Sequence, residues 1–550
     1  MNGKQPVGVV LSGASTQSAV CQVYEHAEKG KLREGMFLQI ESQGKRKILG
    51  RVTSIKPQNE FYLPGDAWTE ARRKQWQVPI NLARQYELFE LELLGELPGL
   101  KEITVPPYAG DNVYEIDVSK APEEIFGVKN PSPGVIWYGT LLGYSGAPIP
   151  LTIEGIPMHC AVFGVTGSGK SYDVGALIEK LVRIYSGENI QLSIPMLIID
   201  ANADYIDYFK HCQEKGSLGA CPTVLRFVFP NSPELKTYPR NTRPIAINLN
   251  NLTLRELAEL IVQYYSGGEK NELQVAGIET LIQTMEAKGD IASENYQQIF
   301  LDDDVFQNAF KRLEELRKTD AIHSATAAAI GRGLNKFREI EKRFSLLSET
   351  PRIEGDFIDN LTEKRLIAIL DFSADAAPGV PLSLKQLVIS YLSSILFQRF
   401  MEYKVRREER YMLFIIEEAQ NYCPNLSVYN VGYSLAKEKL SQIATQGRKF
   451  GLSLCLISQR PSFIDPIVLS MCNTFFIHRI SPEDVSFVKK VCGGLPKDLE
   501  QRLTTLERGE VIVTGQMSLL PFPAVIHVPE REVPHTYGKT DVLSALRRLA

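Results

Sequence analysis

The eight residues GVTGSGKS, positions 164–171, restrict the fold of this chain more than any other stretch, because they require a strand before them and a helix after. Both are present: the apolar run PMHCAVF precedes the loop, and YDVGALIEKLVRIY follows it with helical spacing. Gly167 and Gly169 let backbone N–H groups converge on phosphate oxygens at a helix N-terminus, where partial positive charge favours an anion. Lys170 is placed to bridge the β- and γ-phosphates, and Ser171 to offer its hydroxyl oxygen to magnesium. The expected cradle for ATP is Gly164, Thr166, Gly167, Ser168, Gly169, Lys170, Ser171 and Tyr172.

The surrounding texture fits. PMHCAVFG, SIPMLIID, TVLRFVF, RLIAILDFS, YMLFIIEEAQ, LSLCLISQRP and NTFFIHRI are compact apolar runs suited to strands buried on both faces, with helical patterns between some of them. GEVIVTG and PAVIHVP continue the series. Residues 252–345 carry apolar positions at three-to-four spacing and almost no strand signal, and read as a helical insertion. Residues 1–150 alternate at period two in segments such as MFLQIES and ILGRVTSI, which predicts a small antiparallel barrel. The expected fold is α/β: a P-loop ATPase core of RecA type over 151–251 and 346–535, interrupted by the helical bundle, with an N-terminal β-barrel and a tail from 536 whose TDVLSALRRLA suits a short amphipathic helix.

Composition narrows the classes. A net charge of −4 argues against a uniformly basic nucleic-acid coat, so any DNA contact must use local clusters or a lined channel. Eight cysteines without a CxxC pair, several inside apolar runs such as Cys160 and Cys455, suit reduced thiols in a reducing cytoplasm. The most apolar helical stretch, QLVISYLSSILFQRF, is broken by polar residues before membrane-spanning length, and no secretory leader pattern opens the chain.

A phosphate loop alone serves kinases, switches and motors, so the second acidic site decides. FIIEEAQN ends an apolar strand with Glu417 and Glu418. The first is expected to hold magnesium through its water shell and the second to orient and deprotonate the attacking water, although a solvated acidic strand end gives the same pattern. Gln459, at the tip of LSLCLISQRP, suits a sensor of the γ-phosphate or a capped strand end. Arg448, in the basic turn ATQGRKFG, suits a guanidinium offered to a neighbouring subunit's nucleotide. An exposed basic turn or a DNA contact fits the same residues, and Arg460 competes for the trans role.

GVTGSGKS, IIEEAQN and above all GRKFGLSLCLISQRP resemble the HerA branch of the HerA/FtsK ATPases, and GKLREGMFLQIESQGKRKILGRVTSI is similar to that family's HAS barrel. The resemblance implies a homo-hexameric ring that uses ATP and Mg2+, with double-stranded DNA in a central channel and a separate NurA-like nuclease as partner. Three positions depart from the family pattern: Asp204 in DANADY where Glu is usual, Gln420 where His is common, and Glu417 where Asp is commoner. The leading expectation is an ATP-driven DNA translocase or helicase in DNA end processing or anti-phage defence. The alternative is a nucleotide-controlled hexameric scaffold for a SIR2-like or other effector, and a small-molecule kinase is the third reading. Lys and Arg within 311–343 or 437–449 are the candidates for a channel lining.

Overall fold

The computed structural model describes residues 5–536 apart from 28–31, 79–83, 121, 145, 189, 238–239, 267–270, 349–354, 430–433 and 435, and apart from the side chains of 355–356. The chain forms two compact units: Met1–Thr152 with Pro496–Gln501 and Glu510–Pro529, and Ile153–Leu495 with Arg502–Gly509 and Glu530–Ala550. The tail expected to be helical, 537–550, lies outside the described residues.

The first unit is built on a closed barrel of six antiparallel strands, in the order Gly8–Val10, Ser18–Val23, Gln85–Leu97, Arg46–Asn59, Phe37–Ser42 and Asn112–Glu115. Alternation is what closes it: Leu38, Ile40, Ile48, Val52, Phe89, Leu91 and Val113 point inward and are fully buried. Gly8 admits the largest of them, since a Cβ there would lie 2.9 Å from the Phe89 ring. Val135–Tyr138 and Ile149–Thr152 pair beside the barrel. Glu510–Gly515 pairs antiparallel with Ala524–His527, which also pairs with Thr140–Leu141.

In the second unit eight strands run parallel. Their order is Thr242–Pro244, Val224–Val228, Ile367–Asp371, Met196–Asp200, Met412–Ile416, Leu452–Ser458, Cys160–Phe163 and Thr474–Ile477. Every residue of the strands MLIID, IAILD, MLFII, LSLCLIS, CAVF and TFFI is buried, as strands covered on both faces must be. One strand, Leu452–Ser458, separates the phosphate-loop strand Cys160–Phe163 from the acidic strand Met412–Ile416. At the spacing of neighbouring strands this leaves roughly 10 Å between loop and acids, room for a phosphate and a water.

Between Thr242–Pro244 and Ile367–Asp371 the chain makes the helices Leu254–Ser266, Glu272–Ala287, Gln298–Leu301, Asp303–Lys318, Ser324–Phe344 and Gly355–Glu363. Small residues let them approach: a Cβ on Gly277 would lie 2.7 Å from Ile330. The helix Leu382–Val405 is apolar around most of its circumference and buried along most of its length, so it serves as core. Among the described residues no helix is long and apolar enough to cross a membrane.

Candidate nucleotide site

The parallel strands end together at one edge, and the turns that follow them carry the polar residues. Phe163 leads into the phosphate loop, where Gly167 and Gly169 take φ values of 78° and 111° that favour glycine. Gly164 is required by space: a Cβ there would lie 2.5 Å from Ser168 Oγ and 2.7 Å from His478 Cβ. The loop is pinned in both halves. Val165 N–H donates to the Arg479 carbonyl at 2.8 Å, and Gly509 N–H donates to the Ser168 carbonyl at 3.3 Å. Lys170 opens the helix Lys170–Leu181 and is buried, its Nζ donating to the Val165 carbonyl at 3.2 Å. Burial lowers its pKa against the opposing pull of Glu418, Glu417 and Asp204. A buried ammonium with one neutral acceptor is poised to take an anion.

Ser171 Oγ donates to Glu417 Oε1 at 3.4 Å, while Glu417 Oε2 accepts from Ala201 N–H at 3.1 Å. Burial first, then the charges of Asp200 and Asp204, push the Glu417 carboxyl well above the usual carboxylate range. A hard dication beside this hydroxyl and carboxylate would relieve that penalty, and Mg2+ is content with one or two protein oxygens plus water and phosphate. The donor set therefore fits magnesium. Among the described residues no group of three or more His, Cys, Asp and Glu side chains is arranged to hold a metal.

Glu418 turns the chain with φ 49° and ψ 44°, a left-handed conformation that a non-glycine residue adopts where its surroundings hold it. Two amides do so. Gln459 Nε2 donates to Glu418 Oε1 at 2.6 Å, and Gln420 Nε2 donates to Oε2. Thr166 Oγ donates to Gln459 Oε1 at 2.7 Å, and Ser458 Oγ donates to Gln420 Oε1 at 2.8 Å. A continuous hydrogen-bonded path thus runs from the phosphate loop through Gln459 to Glu418. It exists because the Gln459 strand lies between the other two.

The DANADY turn is organised by its first residue. Asp200 accepts from the N–H groups of Asp204 and Tyr205, each at 2.9 Å, and burial together with Asp371 raises its carboxyl to about 7. Asp204, the departure from the family pattern, faces His535 with Oδ1 3.6 Å from Nε2.

The two candidate arginines sit differently. Arg460 is beside Gln459 but committed within its own chain, donating from Nε to Asp484 at 2.9 Å and from Nη2 to Glu483 at 2.7 Å. Arg448 is exposed in the turn Gly447–Phe450, with no side-chain hydrogen bond or ion pair among the described residues. That turn precedes the strand Leu452–Ser458 whereas Gln459 follows it, so a strand length of about 20 Å separates Arg448 from its own chain's site. The structure therefore gathers Lys170, Ser171, Glu417, Glu418 and Gln459, and leaves Arg448 on the far edge.

Three parts of the site escape sequence reading. His478 Nε2 lies 2.9 Å from Asp173 Oδ2, both buried beneath the loop. Gly509 supports Ser168 and Gly169 through backbone alone. Residues 530–536 lie along the loop helix: Arg531 N–H donates to the Tyr172 hydroxyl at 2.9 Å, and the N–H groups of Glu532 and Val533 donate to Glu179 at 2.7 and 3.0 Å. The histidine directly after the apolar run NTFFI was the one available signal.

A parallel sheet with a phosphate loop, an amide-tipped strand beside it and paired carboxylates on the next defines a P-loop ATPase core of RecA type. The family model described as the central domain of helicase HerA matches residues 136–396. DNA double-strand break repair helicase HerA of Sulfurisphaera tokodaii is 26% identical over 538 residues, covering 96% of this chain and 93% of its own. The protein of the same name from Sulfolobus acidocaldarius is 25% identical over 529 residues, covering 94% and 92%. Among solved structures, VirB4 of Thermoanaerobacter pseudethanolicus aligns with a TM-score of 0.47 at 12% identity, covering 74% of this chain and 98% of its own. Over nearly its whole length the chain is similar to these HerA helicases.

Proposed function

We propose that this protein hydrolyses ATP in a ring of identical subunits and uses the energy to move or unwind double-stranded DNA. The observation that carries the reading is the path Thr166–Gln459–Glu418, which ties the phosphate loop to the carboxylate that we assign to water activation. The loop N–H groups and Lys170 hold the phosphates. Ser171 and Glu417 would hold Mg2+, which would supply charge neutralisation for phosphoryl transfer. Glu418 orients the attacking water and accepts its proton; Gln459, bonded to both Thr166 and Glu418, releases or restrains that carboxylate according to whether a γ-phosphate is present. Arg448 reaches the transferring phosphoryl group of the neighbouring subunit. The action on DNA is supported by the similarity to DNA double-strand break repair helicases, and a nuclease or other effector acting with the ring extends the same reading.

The test is steady-state ATP turnover with and without linear duplex DNA at several salt concentrations. Turnover is expected to rise with DNA, most at low salt, because phosphate contacts release counterions. Persistent turnover that duplex DNA neither binds to nor alters would leave the scaffold reading in place of the motor.

A further inference from the structure

Two exposed arginines, Arg479 and Arg508, bracket the phosphate loop from the flank opposite Glu418. The loop strand Cys160–Phe163 has the Gln459 strand on one side and Thr474–Ile477 on the other. Glu418 and Gln459 belong to the first flank. On the second, Arg479 accepts Val165 N–H through its carbonyl at 2.8 Å. Arg508 directly precedes Gly509, whose N–H donates to Ser168 at 3.3 Å and whose N lies 3.5 Å from where a Cβ of Gly169 would be. Backbone contact therefore fixes each arginine within a side chain's length of one half of the loop.

Both side chains are exposed and make no hydrogen bond, ion pair or ring contact among the described residues. This sets them apart from Arg460, Arg226, Arg399 and Arg531 in the same unit, each of which is tied to carboxylates or aromatic rings. An arginine held at its backbone and free at its guanidinium keeps five donors for a ligand. The groups nearest by chain are the loop N–H donors, which call for an anion.

In-line displacement puts the attacking water and the leaving oxygen on opposite sides of the transferring phosphorus. With water activated on the Glu418 flank, the leaving diphosphate faces the Arg479 and Arg508 flank. We propose that Arg479 and Arg508 are cis cations that hold the α- and β-phosphates of the nucleotide, in addition to the β–γ bridge of Lys170 and distinct from the γ-phosphate chemistry of Glu418 and the trans Arg448. This inference rests on the ATPase reading above.

The experiment is equilibrium binding of fluorescent ADP and ATP analogues to the full chain and to its Arg479→Ala, Arg508→Ala, Arg479→Lys and Lys170→Ala variants. Each alanine variant is expected to weaken ADP and ATP alike by about tenfold or more, as loss of a charge-assisted hydrogen bond implies, with partial recovery in Arg479→Lys. Both substitutions are at exposed positions, and unchanged thermal unfolding will verify that the fold is intact. Unchanged ADP affinity in both alanine variants, with binding lost in Lys170→Ala, would overturn the inference and leave the ATPase reading standing. Weakening confined to ATP would place the cations at the γ-phosphate and overturn it as well. If Lys170→Ala also binds normally, the nucleotide reading itself falls.

Discussion

At the scale of single residues, the arrangement separates holding from reacting. Lys170 and Ser171 are bound to loop and acid in ways that a phosphate and a cation would replace, whereas Glu418 is held by two amides and has no role in the core. Glu418→Gln keeps the shape and removes the base, so turnover should fall at least about 100-fold while ATP binding persists. Turnover and equilibrium binding measured together check this. His159 supports a second prediction. Its Nδ1 accepts from Leu454 N–H at 2.9 Å and its Nε2 meets the Ala444 carbonyl at 3.0 Å, so the ring is neutral and joins the sheet to the helix that ends just before Arg448. Burial lowers its pKa to about 4. Since the folded pKa lies below the free value, its contribution is complete above about pH 6.5 and is lost as pH falls towards 4, with a total on the order of 3 kcal/mol. Denaturant midpoints should drop across that window, and His159→Gln should flatten the drop. Most residues of the site could be read from sequence because each follows its own apolar strand within a few positions. His478 and Asp173 could not, since 305 residues separate partners that only the folded sheet brings together.

At the scale of elements, alternation made the barrel readable: Leu38 and Ile40 in MFLQIES and Ile48 and Val52 in the next strand are buried in the barrel core where period two places them. The length of the strands Arg46–Asn59 and Gln85–Leu97 was not readable, because their paired far ends, PQN and QYE, are partly or fully exposed and lack an apolar signal. The 530–536 segment was equally silent, since much of its anchoring comes from backbone N–H groups directed at Glu179 and Asp207. Its fit depends on a glycine. A Cβ on Gly175 would lie 2.7 Å from the Arg531 guanidinium and 2.8 Å from the Tyr208 hydroxyl. Gly175→Val should therefore lift the segment from the loop helix and cost about 1–3 kcal/mol. Faster proteolytic cleavage near 530–536, with a lowered unfolding temperature, is the expected result. Retained protection would mean that Arg531 can move aside at little cost.

At the scale of the whole molecule, the position of Arg448 decides what a subunit lacks. Acids, amide and loop lie on one edge of the sheet, and the exposed guanidinium lies a strand length away on the other, so under the proposed mechanism it serves a neighbour's site and not its own. In the proposed ring, one surface of each chain meets a different surface of the next, a head-to-tail interface. Two dead variants then become informative together. Arg448→Ala retains the acid and loses the donated cation; Glu418→Gln retains the cation and loses the base. Each alone should turn over ATP at least about 100-fold more slowly than the parent chain. Mixed in equal amounts and allowed to reassemble, they create interfaces in which an intact acid meets an intact arginine. Random assembly makes about a quarter of the interfaces whole, so turnover should return to that order of the parent rate. A mixture as inactive as its components would mean that Arg448 serves its own chain or none, since only an arginine donated across the seam can rescue a partner.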